Sequence, residues 1–393
     1  MIVAMSYVLL SRAKKNIGDF LILDRAKKLL QRYRPEKELI TLNGWEPLGE
    51  HLDEVNGSDA MVFCGGPNVS KTFYPGVYPL TDNIDEIKAP MYLLGGGWNE
   101  IPGTKMQKDT YKFTSQSKKV LERCAAISCR DDQTVDVLRN NGLKGVMTGC
   151  PVWYNLEHID EKFETPKEIR KVVFTTPQFH TMPRLYDRQC IEVMDILAEM
   201  FGGAKIYCSF HRGLKVDEFT EEEEEPRLLA VKDAATERGF EIIDASYDLS
   251  KIDFYEGCDL HVGYRLHGHI DFLSMRKPSF LLNIDARGKG FGDTIGISGV
   301  QAWSKGPLAE ATYTLGNWIG KYNLLNKWTR VVSERSYLRW SQGLWLSGNE
   351  DAVRNLKEIL GDEVTSGFHS YIGLEGTFLK YFEVMKNFIT RLP

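Results

Sequence analysis

Long apolar runs are missing from this 393-residue chain. Nothing approaches the 18 or so consecutive apolar residues a membrane-spanning helix needs, so no span is expected. The opening MIVAMSYVLL is apolar, but no basic segment precedes it and no small-residue cleavage site follows. It reads as a first buried strand rather than as a signal peptide. Cysteine pairing is missing too. The seven cysteines, at 64, 124, 129, 150, 190, 208 and 258, are odd in number and widely spaced, with no CxxC. That argues against a disulfide framework or a zinc knuckle and suits a reducing, cytoplasmic setting. Excess positive charge is absent: 49 basic against 54 acidic residues give −5. No global field holds nucleic acid or an anionic membrane, although a local basic pocket for a small anion is allowed. Attachment to a membrane through a partner stays open. HExxH, His/Cys clusters, DxD and GxSxG are all lacking, so neither a metal centre nor a nucleophile elbow is signalled. No Walker loop and no GxGxxG opens the first helix.

What is present is a soluble globular composition, 42% hydrophobic and 26% charged, long enough for two to three domains. Strand and helix signals alternate from the start. Val3–Leu10 predicts a strand and Phe20–Arg34 a helix stopped by Pro35. Strands follow at Leu39–Leu42, Ala60–Cys64, Met91–Leu94, Ala126–Cys129 and Val146–Thr148, with helices at Ser115–Cys124 and Thr134–Asn141. Several strands run into glycine: Gly65-Gly66-Pro67, Gly95-Gly96-Gly97 and Gly149-Cys150-Pro151. The charged stretch Glu157–Arg170 reads as a linker. The rhythm then restarts, with strands at Lys171–Thr175, Lys205–Ser209, Glu241–Ile243, Leu260–Gly263 and Ser279–Ile284. Helices are predicted at Cys190–Phe201, Arg227–Arg238, Lys251–Gly257 and His269–Met275. Such alternation predicts parallel sheets covered by helices, and ligands then bind at the carboxyl ends of the strands. The expected division is 1–156, 171–300 and a mainly helical tail over 301–393. The tail has few strand signals and carries Trp303, Trp318, Trp328, Trp340 and Trp345. Its helices Ala352–Leu360 and Thr377–Thr390 pack back across the two domains or form a dimer contact.

Candidate site residues follow from those strand ends. Arg265, His267 and His269 come directly after strand Leu260–Gly263 and before a helix. A helix N-terminus holds anions, arginine adds a fork for carboxylate or phosphate, and histidine changes charge near neutrality. Gly268 lets a ligand approach the backbone. The alternative is two core histidines and a surface arginine. Asn16-Ile17-Gly18-Asp19 occupies the first strand-to-helix turn, with Asp19 as helix cap and Asn16 free to face the crevice; a capped turn and nothing more is equally open. Gly65, Gly66, Gly96 and Gly97 suggest backbone close to a ligand. Arg130 reaches the crevice beside Asp131, an expected N-cap. His211-Arg212 follows another strand. Arg287 and Lys289 lie on a glycine-rich stretch after Ser279–Ile284 that reads as an anion loop or a mobile surface loop. His180 lines the cleft or is simply exposed.

Taken in order, Asn16–Asp19, the glycine-rich strand ends, Ser128–Asp131, Gly149–Pro151, Arg265–Gly268 and the strand after them resemble the polysaccharide pyruvyl transferase family. The resemblance covers about residues 1–290. It implies two Rossmann-like domains facing across a cleft, a GT-B-like arrangement with added C-terminal helices. It also implies transfer of the pyruvyl group of phosphoenolpyruvate to two hydroxyls of a glycan sugar as a cyclic ketal, with release of phosphate. No cofactor is implied beyond that donor. The acceptor is a sugar or oligosaccharide, lipid-linked or free, and a homo-oligomer is left open. Arg130, Arg265, Arg287 and Lys289 are the candidate donor cations and His267 the candidate acid or base. Cys150 stands where the family usually has Asp. Two other readings compete: a GT-B-type glycosyltransferase holding a nucleotide ribose through Glu241 or Asp244, and a non-catalytic glycan-binding protein of the same fold.

Overall fold

The structure is a computed structural model. It describes residues 5–99, 111–163, 165–178, 185–220, 222–297, 299–305, 346–348 and 350–393. Two six-stranded, wholly parallel sheets form its frame. The first comprises β1 (Ser6–Ser11), β2 (Glu38–Asn43), β3 (Ala60–Val69), β4 (Met91–Trp98), β5 (Cys124–Cys129) and β6 (Val146–Met147), in the order β2-β1-β3-β4-β5-β6. The second comprises β7 (Lys171–Thr175), β8 (Lys205–Phe210), β9 (Glu241–Asp244), β10 (Leu260–Gly263), β11 (Ser279–Asn283) and β12 (Val300–Gln301), in the order β12-β11-β10-β7-β8-β9. Central strands such as β1 and β10 are buried along their whole length, as a parallel sheet covered on both faces requires.

The helices between strands are α1 (Ile17–Tyr33), α2 (Leu52–Gly57), α3 (Ser115–Arg123) and α4 (Asp132–Asn140) in the first half. The second half has α5 (Leu185–Met200), α6 (Glu225–Glu237), α7 (Leu266–Ser274) and α8 (Ala286–Ile295). Strand order reverses between β1 and β3 in one sheet and between β7 and β10 in the other. A crevice opens at such a reversal because neighbouring connections leave on opposite faces. Asn16–Asp19 follows β1 and Arg265–Gly268 follows β10, so both strongest sequence segments fall at reversals.

Three expectations change. The glycine clusters do not end β3 and β4. Gly65, Gly66 and Gly95 adopt positive φ, and the strands run on through shifted register to Val69 and Trp98. The stretch after β11 is helix, not loop: Asp285 accepts the Arg287 amide at 2.9 Å and caps α8. Helix α7 begins at Leu266, so His267 lies inside its first turn rather than ahead of it.

Beyond β12, Trp303–Lys305 (β13) pairs antiparallel with Leu346–Gly348 (β14), a small ladder the sequence did not announce. Trp318, Trp328, Trp340 and Trp345 lie outside the described residues. Helix α9 (Glu350–Ser366) packs on α5 and β12 of the second half, and α10 (Glu375–Thr390) packs on α1 of the first. Tyr33 and Phe382 meet at 6.2 Å, and the Tyr7 hydroxyl donates to the Pro393 carbonyl at 2.5 Å. The described tail helices thus cross back over both halves. One apolar core includes Leu9 and Leu21 of the first half, Phe174 and Val262 of the second, and Phe378 of the tail. The linker contributes Ile159 and Phe163, and the carbonyls of Ile159 and Glu161 accept from Arg276. Among the described residues no helix is long and apolar enough to cross a membrane.

Candidate active site

Strand β10 delivers Arg265 against the end of β7. A Cβ on Gly263 would sit 2.4 Å from the Thr175 carbonyl oxygen, so only glycine lets the two ends approach this closely. The Arg265 amide donates to Thr175 Oγ1 at 3.2 Å. Its Nε donates to the Thr176 carbonyl at 2.8 Å and Nη2 to the Pro177 carbonyl at 3.2 Å. The guanidinium is thereby held over the carboxyl end of β7. Burial, with Arg212 and Arg287 nearby, lowers its pKa to about 9. Two residues on, His267 is 5% exposed, and its Nε2 has no partner among the described residues. Burial, helped by the charges of Arg130 and Arg287, pushes it down to about 3, so the imidazole is neutral at pH 7. His269 is a core residue: Ser279 Oγ lies 2.6 Å from its Nδ1 and 2.7 Å from the Nδ1 of buried His261.

The first half meets this helix end directly. The Ile17 amide donates to the His211 carbonyl at 2.9 Å. A Cβ on Gly18 would lie 2.8 Å from His267 Nδ1, so the missing side chain is what seats the imidazole on α1. Asp19 does not cap α1. Asn16 holds the cap position, and Asp19, three positions further in, accepts from Asn16 Nδ2 at 3.1 Å. The Asn16 amide is therefore engaged locally. Burial raises the Asp19 pKa against the Asn16 bond and the charges of Arg287, Arg212 and Arg12.

Arg130 is 3% exposed at the end of β5. Its Nη2 donates to the Trp98 carbonyl at 2.8 Å, its Nε to Asp131 at 3.1 Å, and Nη1 is unpartnered among the described residues. The guanidinium lies where a Gly97 side chain would be; a Cβ there would come within 2.1 Å of its central carbon. Asp131 caps α4 as expected, accepting from the Thr134 amide and hydroxyl at 2.7 Å each. It also faces Gly290 of α8 across the cleft. Arg287, in the first turn of α8, is ion-paired with Asp285, which outweighs burial and raises its pKa.

Arg130, Arg265, His267, Arg287 and Asp19 therefore belong to one electrostatic cluster built from both halves. Arg212 joins it, with Nη2 bonded to the Phe219 carbonyl. Lys289 stands apart: it is exposed on α8 and paired with Asp293 at 2.8 Å. His211 is buried, with Nε2 2.9 Å from the Tyr255 hydroxyl. The spaces beside Gly65, Gly96 and Gly268 are filled by Ile22, Leu93, and His211 with His261. Gly66 keeps open surroundings, with only Ile22 near. Cys150 is fully buried, and its thiol is pushed up to about 11. His180 lies outside the described residues. Thr176 was not anticipated. It is 1% exposed, its Oγ1 is unpartnered among the described residues, and it lines a small crevice with Arg212, Glu224 and Arg265. A threonine pair at a strand end, Thr175-Thr176, was the available signal.

Buried cations around a neutral histidine suit a ligand carrying more than one negative charge, held away from water. Two parallel sheets with their reversal points turned toward each other define a GT-B-like, double Rossmann-type protein. Polysaccharide pyruvyl transferase is the family whose profile matches, over residues 16–286, more than half of the chain. The chain belongs to that family and is a transferase. A comparison with curated proteins gave no match. Among solved structures, UDP-GlcNAc 2-epimerase from Neisseria meningitidis is similar at 8% identity, over 92% of this chain and 99% of that one, with a TM-score of 0.46. S. aureus MnaA is similar at 8% identity over 93% and 98%, TM-score 0.46. The wall teichoic acid polymerase TagF is similar at 10% identity over 98% and 89%, TM-score 0.38.

Proposed function

We propose that the protein transfers the pyruvyl group of phosphoenolpyruvate to two hydroxyls of a glycan sugar, forming a cyclic ketal and releasing phosphate in the cytoplasm. The observation that carries this is the unpartnered His267 Nε2 among Arg130, Arg265 and Arg287. The donor's carboxylate and phosphate match those cations in number and kind. In the reaction C2 of the donor gains two C–O bonds and loses the bond to the phosphate oxygen. Of the two hydroxyl protons, one goes to the methylene carbon, making a methyl group, and the other leaves with phosphate. His267, neutral when the site is empty, accepts the proton of the attacking hydroxyl. Burial and then the cations hold its pKa down; the anionic donor offsets the cations, so the proton taken up can be retained and then delivered. Asp19, whose pKa burial raises against the charges of Arg287 and Arg212, supplies a second proton carrier.

The nucleotide reading has less support. Glu241 opens β9 at the amino end of the sheet and pairs with Lys205 at 2.6 Å. Asp244 accepts the Leu214 amide at 3.1 Å and the Ser246 hydroxyl at 2.6 Å. The deciding experiment is a melting scan with millimolar phosphoenolpyruvate, phosphate, UDP or GDP, followed by phosphate detection with an acceptor panel. A rise with phosphoenolpyruvate beyond that with phosphate supports the reading. A rise only with a nucleotide overturns it.

A further inference from the structure

Among the described residues, the half-buried aromatics Trp45 and Phe219 belong to neither apolar core. Trp45 follows β2 in the first half, and Phe219 follows β8 in the second. Both lie beyond carboxyl strand ends, on the side of the sheets where the cleft opens. Both are half-buried, and between them runs the side chain of Lys14. Its ammonium is 4.8 Å from the Trp45 ring centre and 5.4 Å from that of Phe219. Among the described residues Lys14 makes no hydrogen bond or ion pair, and the buried Trp45 Nε1 has no acceptor.

The arrangement is held rigidly from below. The next residue, Lys15, is 1% exposed and reaches from the first half into the loop that carries Phe219. Its Nζ donates to the Lys215 carbonyl, to Thr220 Oγ1 and, at 2.9 Å, to Asp217. Tyr247 donates to the same Asp217 carboxylate at 2.7 Å. The Phe219 amide donates to Asp217 Oδ1 at 3.0 Å, and the Phe219 carbonyl accepts from Arg212, a member of the reactive cluster. A half-exposed ring whose backbone is fixed at both ends and from the opposite domain is doing nothing for the core.

We propose that Trp45, Phe219 and Lys14 form the acceptor subsite and that its occupant is a pyranose ring of the glycan. Sugar rings present an apolar C–H face, which stacks on aromatic faces, and an edge of hydroxyls, which an ammonium meets as a donor. The two rings come from opposite halves, so the subsite exists only when Lys15 has joined them. This inference rests on the proposed transfer to a sugar, deepening it by naming where the acceptor lies.

The test uses the full chain and four probes at tens of millimolar: the methyl pyranosides of glucose, galactose, mannose and N-acetylglucosamine. Saturation-transfer NMR reads binding in the wild type and in Trp45→Ala and Phe219→Ala. Both substitutions are outside the cores, and an unchanged melting temperature confirms folding. Lys15→Met, which frees the Phe219 loop while keeping both rings, is the second variant type. The expected result is transfer to at least one pyranoside, reduced at least fivefold by each alanine substitution and by Lys15→Met. No transfer in the wild type, or transfer undiminished in Trp45→Ala and Phe219→Ala, overturns the subsite. Phosphoenolpyruvate is titrated separately into the wild type. Failure there counts against the donor assignment and leaves the pyranoside result standing on its own.

Discussion

At the scale of single residues, the division of labour between Arg265 and His267 is the sharpest expectation. Arg265 supplies charge and is itself anchored by three backbone or hydroxyl contacts. Arg265→Ala should abolish the phosphoenolpyruvate-induced melting shift. His267→Ala should leave most of that shift and lower turnover by about 10²–10⁴-fold, the usual contribution of a general acid or base. Equal donor binding in wild type and Arg265→Ala would sink the assignment. The same histidine sets a pH dependence. His267 and His269 are each held near 3, against about 6.5 when unfolded. The unfolded chain therefore binds more protons below pH 6.5. The stability these neutral rings carry is complete above that pH and is lost as pH falls toward 3, by at most about 1.4 kcal/mol per unit for each group. Protonation of Asp19, whose pKa is raised, returns part of it. Melting scans from pH 7 to 4 should show the fall, and His267→Asn should make it shallower. These residues were legible because they sit immediately after strands. What the sequence could not disclose was His267's exclusion from water, which depends on Gly18 from 249 positions away, or the pairing of Lys289 with Asp293 on the exposed side of its helix.

At the scale of elements, sequence periodicity located the six strands of the first sheet and five of the second, missed the two-residue β12, and lost accuracy at strand ends. Glycine explains the pattern. Gly65-Gly66 and Gly95 looked like stops, yet pairing with neighbours carries β3 and β4 past them by bulging. In the Asp285–Gly290 stretch glycine looked like looseness. There Gly288 and Gly290 admit Asn283 and Asp131 against the helix, so the residue that lowers helix propensity also permits the packing that offsets it. Gly97 extends the same logic to the site. Its backbone tolerates alanine, but the new methyl would occupy the space of the Arg130 guanidinium. Gly97→Ala should destabilise by about 1–3 kcal/mol, as overpacking does, and weaken phosphoenolpyruvate binding at least tenfold. Urea melts and titration calorimetry read the two effects. Stability lost with donor affinity intact would show that Arg130 is structural.

At the scale of the whole molecule, the alternation of strands and helices was enough to expect two parallel sheets, because each turn signal is local. The contacts that join the halves were not readable, since they have no local signature. Ile17 bonds to His211, Lys15 to Asp217, and Arg25 to Asp271 at 3.2 Å. The ladder β13–β14 escaped for a similar reason, its strands being three residues each and 40 positions apart. With one apolar core running through both sheets and the tail, the halves should not melt separately. Calorimetry should give one transition whose calorimetric and van't Hoff enthalpies agree. Two resolved transitions would mean the shared core contributes little.

Helix α10 carries a consequence for the order of synthesis. Its partner α1 is made more than 300 residues before it. At roughly 5–20 residues per second, the apolar side of α1 waits on the order of half a minute on the ribosome before its cover exists. During that interval the nascent first half presents an unfinished surface, and chaperone supply during translation should govern the yield of folded protein more than the final stability does.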